Sequence, residues 1–269
     1  MKLDGHAKLT NGAIQSFRNR CTQASDKFLR ESVCRSPQFN TLNVKWQDAK
    51  RSNSKDNDKM LYFIAAQELS LISESMHSLK SGYLTRETVA VDLEPLKLPF
   101  HILDVGQKYH FMRIGDKQTV QSAHQEASQL IRDKAEAWLK HMHRAMFGKQ
   151  HHGRNRNVTT VFRRRAVSEL AVALHSLQDS FSPAHTLRKS FTNPQAPGEI
   201  TDIFVYAEQD HAQHGEHDFE SGSMKSLYAQ AAVHASAELM HLCASAISKK
   251  STSLLNWEQF KHRWIKLGL

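Results

Sequence analysis

Between about residues 119 and 147, Ala127, Leu130, Ile131, Ala135, Trp138, Leu139 and Met142 recur at helical spacing. Such a stripe makes a long helix with one apolar face, and that face has to be covered by other elements. Little in the rest of the chain resists helices. Glycine (11) and proline (6) are sparse among 269 residues, and strict alternation of apolar and polar positions is almost absent. The expectation is an all-α fold, a single multi-helix domain over residues 1–269 with a substantial core. Helices are expected at about 7–34, 41–51, 58–80, 119–147, 160–181, 202–218, 224–248 and 256–266. Arg51 to Asp58 reads as a polar loop. Residues 81–110, with Pro95 and Pro99 and no clear helical period, read as an ordered irregular segment.

Composition sets outer limits. Cys21, Cys34 and Cys243 are an odd number without a CxxC pattern, which suggests neither a disulfide framework nor a thiolate zinc site. No apolar run approaches the roughly 18 residues of a membrane span. The start, Met1 to His6, lacks the apolar region of a signal peptide, so the expectation is a chain that is cytoplasmic when made. A formal charge of +9 favours anionic partners such as phosphate esters, nucleic acid or an acidic membrane surface. Arg163, Arg164 and Arg165, with Arg154 and Arg156 nearby, form a basic cluster that is either a solvated face or a phosphate-facing patch.

The chemistry concentrates in His175-Ser-Leu-Gln-Asp179-Ser-Phe-Ser-Pro-Ala-His185. His175 and Asp179 are four apart, hence one turn above the other on a single helix face. Pro183 breaks or restarts the helix, so His185 can be re-aimed at the same ion or a neighbouring one. A lone histidine on an apolar helix is most often a hydrogen-bonded core residue. A second and then a third metal-competent group nearby shifts the balance toward ligation. A second pair, His214 and Asp218, lies in a run that also holds His211 and His217; its bland alternative is a histidine-rich exposed helix end. His6 opens the first helical pattern, and His110 follows a segment carrying Asp92 and Asp104. Imidazole with carboxylate suits zinc, and less selectively other divalent first-row metals.

Taken in order, Gly5-His6, Asp92, His110-Phe111, His175-x3-Asp179-x5-His185 and His214-x3-Asp218 resemble the zinc-dependent phospholipase C and single-strand nuclease superfamily, over residues 1 to about 220. The resemblance implies an all-α fold with a trinuclear zinc cluster at the bottom of a cleft, and two to three zinc ions are expected here. It implies Asp92 as a bridging ligand with a second role in orienting or deprotonating the attacking water, and Asp104 is a rival for that place. His110, His175 and Asp179 match ligands of a first ion, while His185, His214 and Asp218 match those of a separate one. His6 matches a ligand of the third, which in the family is also chelated by the first residue of the mature chain, here Met1. The chain departs from the family in starting at Met1, five residues before His6, where members expose a tryptophan.

Three aspartates against three dications would leave a local charge of roughly +3, a trap for a phosphodiester. The implied activity is phosphodiester hydrolysis by metal-activated water, with no serine or cysteine nucleophile. The leading reading is a phospholipase C-like enzyme acting on phospholipid with peripheral membrane contact. Without a signal peptide, it reads as an effector toxin exported by a specialised secretion system and met by an immunity protein. A zinc-dependent single-strand nuclease is the rival, and Phe181, Phe191, Phe204 and Tyr206 could serve base stacking, acyl contact or only the core. A helical binding protein with a closed structural metal site, or none, is the non-enzymatic alternative.

Overall fold

The computed structural model of the protein describes residues 3–27, 29, 83–93, 104–147, 156–206 and 225–268. Within them the chain is mostly helical. The elements in order are α1 (Leu3–Thr22), α2 (Tyr83–Leu93), a 3-10 helix (Asp104–His110), α3 (Val120–Phe147), α4 (Arg156–Asp179), β1 (Thr186–Arg188), β2 (Ile200–Ile203), α5 (Leu227–Ser248) and α6 (Trp257–Trp264). The expected helices at 41–51 and 58–80 lie outside the described residues.

The stripe that opens the sequence is the core face of α3. Ala127, Ile131, Ala135, Trp138, Leu139 and Met142 are all essentially inaccessible. They face mainly α4, which returns Ala166, Leu170, Ala171, Leu174 and Leu177 to the same core. On the far side α1 packs against α5, whose small residues Ala231, Ala232, Ala235 and Ala246 permit close approach. Ser226 caps α5 by accepting from the Ala229 amide, which satisfies one of the donors a helix start leaves over.

Several expectations need correction. The first helix runs Leu3–Thr22 instead of 7–34. Asp26 stops its continuation, because the carboxylate accepts from the Leu29 amide at 3.0 Å and starts a new turn. Residues 81–110 are not irregular throughout, since α2 occupies Tyr83–Leu93. Its β-branched Thr85, Thr88 and Val89 disguise the helical period, yet all three are buried with Leu84. The fold is also not purely helical. An antiparallel hairpin takes the start of the helix expected at 202–218, with Thr186 opposite Ile203 and Arg188 opposite Ile200, while 207–218 lie outside the described residues. Residues this short cannot display alternation in sequence. The hairpin closes tightly enough that a Cβ at Gly198 would lie 1.5 Å from the Lys189 carbonyl oxygen. The tail completes this unit, with the Ile200 amide donating to the Lys266 carbonyl and Gly268 to that of Ile200. Finally, an odd cysteine count does not forbid a pair. Cys21 is disulfide-bonded, and Cys243 is a buried free thiol.

Candidate metal centre

Helix α4 carries His175 and Asp179 on one face, and the ring Nε2 stands 3.1 Å from Oδ2 of the carboxylate. The helix stops at Asp179. Tight turns follow, Phe181 donating to the Gln178 carbonyl, Ser182 to Asp179 and His185 to Ser182. They fold the chain around Pro183 so that His185 Nδ1 comes to 3.7 Å from the same Oδ2. The break expected at Ser182-Pro183 thus returns His185 toward Asp179.

Two further elements converge there. The 3-10 helix ends on His110, whose Nδ1 is 3.2 Å from Asp179 Oδ2. Phe111 ends that helix in the left-handed region (φ 54°), while the Met112 amide reaches back to the Gln107 carbonyl. A bulky residue tolerates that conformation only when its surroundings hold it, and Phe111 is fully buried. From α1, His6 presents Nε2 to the other oxygen, Oδ1, at 3.2 Å, and its ring stacks on that of His175 with centroids 4.0 Å apart. One buried carboxylate is therefore met by four imidazoles from α1, the 3-10 helix, α4 and the turn beyond it.

Two of those rings are fixed from behind. Nδ1 of His175 donates to the Thr88 carbonyl (3.1 Å) and that of His6 to Oε1 of Gln178 (2.8 Å), whereas in His185 the Nδ1 nearest Asp179 is itself the donor to the His110 carbonyl (2.6 Å). An acceptor behind Nδ1 selects the tautomer whose Nε2 carries a lone pair, the arrangement found behind metal-ligating histidines. His175 Nε2 is also 3.1 Å from His110 Nδ1. Nε2 of His175, Nδ1 of His110 and Oδ2 of Asp179 thus form a triangle with sides of 3.1, 3.1 and 3.2 Å. Lone pairs brought so close need a proton or a cation between them. Donor atoms placed tetrahedrally at zinc distances lie about 3.3–3.4 Å apart, close to those sides. His6, His175 and Asp179, all buried, form a group that could hold a metal ion, their ligand atoms within 4.8 Å of one another.

Burial alone would raise the Asp179 pKa, but positive charge, that of the amino terminus first and then of His185, His175 and His6, outweighs it and holds the group as a carboxylate. No comparable reinforcement is needed nine residues on, at Arg188. Its guanidinium donates to the carbonyls of Ser180, Gly198 and Trp264 and lies 4.4 Å over the Phe181 ring. Burial pushes its pKa down to about 9, which still leaves a cation at neutral pH. This knot pins the turn that carries His185.

The structure brings together His6, His110, His175, Asp179 and His185, residues that the resemblance distributes over three ions. Asp92 lies in α2 and Asp104 begins the 3-10 helix, and their side chains are outside the description. Met1, His211, His214, His217 and Asp218 are outside the described residues. Of the arginine run, Arg165 is exposed. Phe181 belongs to the core with Trp264, and Phe191 packs edge-on against Tyr228. Sequence reasoning missed Thr88 and Gln178, which act through a backbone carbonyl and an ordinary amide and leave no compositional mark. No described helix is long and apolar enough to cross a membrane. No family model, curated protein or solved structure matches the chain.

Proposed function

We propose that the chain is a zinc-dependent phosphodiester hydrolase of the phospholipase C type, with phospholipid as substrate. The observation that carries the reading is the single buried carboxylate of Asp179 met by four imidazoles, two of them held from behind on Nδ1. A core site that served packing alone would not gather so many ionisable groups on one acid. His6, His110, His175, Asp179 and His185 would hold the metal, with Asp92, His214, Asp218 and Met1 completing a set of two to three ions. Zinc supplies a Lewis acid that makes water a nucleophile at neutral pH and neutralises charge developing on the phosphate.

The protein's own part is orientation and exclusion of solvent. Asp179 supplies the negative charge that draws cations into the core, and the bonds behind His6 and His175 keep their Nε2 atoms aimed at it. His110 and His185 retain slight exposure, 5% and 2%, where His6, His175 and Asp179 have none. Substrate would therefore approach from the His110–His185 side. Asp92 is proposed to orient the attacking water. Peripheral contact with a membrane, export by a specialised secretion system as an effector toxin, and neutralisation by an immunity protein belong to the same reading.

A single-strand nuclease is the second reading, favoured by the net charge of +9 and by exposed Arg165 within a basic run. The test is elemental analysis of the purified protein, followed by release of phosphorylated headgroup from phosphatidylcholine vesicles and cleavage of single-stranded DNA, each with and without a chelator. Chelator-sensitive headgroup release is the expected result. Cleavage of DNA alone would transfer the activity to nucleic acid. Bound zinc with neither activity would leave a structural metal site, and no bound metal would end both readings.

A further inference from the structure

Gln178 is fully buried next to Asp179, and being one residue apart on a helix their side chains point about 100° away from each other. Asp179 faces the imidazoles. Gln178 instead links three helices: Oε1 meets His6 Nδ1 at 2.8 Å, and Nε2 reaches Thr10 Oγ1 of α1 at 3.1 Å and Ser236 Oγ of α5 at 3.4 Å. We infer that Gln178 is a positioning residue that sets the tautomer of His6, holding the proton on Nδ1 and leaving Nε2 a bare ligand atom beside Asp179.

The amide's own inventory supports this orientation. Its nitrogen has two protons and faces two hydroxyl oxygens, while its oxygen faces one ring nitrogen. Rotating the amide by half a turn would aim two protons at a single ring nitrogen and strand one of them in the core, among the costlier defects a buried polar group can have. With the oxygen toward His6, every amide atom is matched. His6 Nδ1 then has to be the donor, so in the neutral ring the nitrogen 3.2 Å from Asp179 Oδ1 carries the lone pair. The consequence for metal affinity rests on reading this centre as a cation site. The tautomer does not.

The test is nitrogen-15 NMR of histidine-labelled, chelator-treated protein at about pH 8, above the usual imidazole range, paired with zinc affinity measured by competition against a chromogenic chelator. Wild type should show the His6 proton on Nδ1. Gln178→Leu should release it to Nε2 and weaken zinc binding about 10- to 100-fold, as loss of a group behind a ligand does. Gln178→Glu keeps the acceptor while giving up both amide donors. It should hold the Nδ1 proton and bind zinc within about threefold of wild type, whereas a purely structural role would make it as weak as the leucine variant. A wild-type His6 protonated on Nε2 overturns the inference without any variant. So does a leucine variant with the proton still on Nδ1. Wild type that shows the Nδ1 tautomer yet takes up no zinc would instead sink the metal reading and leave the role of Gln178 standing.

Discussion

Asp179 and Arg188 are buried charges on the same stretch of chain, and they are accommodated in opposite ways. Among the described residues the Arg188 guanidinium hydrogen-bonds to backbone carbonyls alone, those of Ser180, Gly198 and Trp264, and lies over an aromatic face. Those carbonyls do not titrate, so the charge serves to hold the turn closed. Asp179 meets imidazoles, each able to carry a proton, a lone pair or a metal. Burial opposes the charge in both places. At Arg188 it is offset by fixed dipoles, whereas at Asp179 it is offset by groups whose own charge can change. A buried charge closed off by backbone points to architecture, and one surrounded by exchangeable partners points to chemistry.

The sharpest way to break that contrast is at Asp179 itself. Asp179→Asn should lower zinc affinity by about 100-fold or more and abolish the rise in melting temperature expected of wild type with zinc, read by elemental analysis and calorimetry. A variant that still takes up zinc normally would make the carboxylate as architectural as the arginine. Next in size is Arg188→Met, expected to cost about 3–5 kcal/mol of stability, since it strands three buried carbonyls and removes a stacked cation. Denaturant unfolding should show the same loss with and without zinc. A loss confined to the zinc-loaded protein would mean that Arg188 serves the centre.

His124 provides a third comparison. It donates from Nε2 to the Ile265 carbonyl at 2.6 Å, and burial lowers its pKa below 6.5, with lesser opposition from that hydrogen bond. The unfolded chain therefore takes up the proton more readily than the folded one. The stability from this group is complete above pH 6.5 and is lost as pH falls below it. Metal-free protein should unfold more easily on acidification from neutral pH, and His124→Gln should flatten that slope. Denaturant curves at a series of pH values decide this, and an unchanged slope would assign the acid sensitivity to other histidines. The smallest expected effect is that of Thr10→Val, which removes one hydroxyl from the Gln178 amide and should cost about 1 kcal/mol in thermal unfolding.

What was legible in the sequence was local. The stripe from Ala127 to Met142 and the one-turn spacing of His175 and Asp179 follow from helical periodicity, and the return of His185 follows from proline chemistry at position 183. The hairpin was hidden because Thr186–Arg188 is only three residues long, and α2 because β-branched residues blur its period. That His6 arrives at the same carboxylate as His175 depends on how α1 packs, which no spacing within α1 encodes. The role of Gln178 requires Thr10, Ser236 and His6 in place at once, so nothing about the residue alone announces it.

The bond between His6 and Gln178 joins positions 172 apart in sequence. Closing a loop of that length costs roughly 4–5 kcal/mol of chain entropy beyond a constant. During synthesis the first helix must therefore wait, its histidine unmatched, until most of the chain has emerged from the ribosome. Anything that later joins His6 to α4 through a shared ion acts as a reversible cross-link, and withdrawing that ion should let the amino-terminal helix open before the rest of the molecule does.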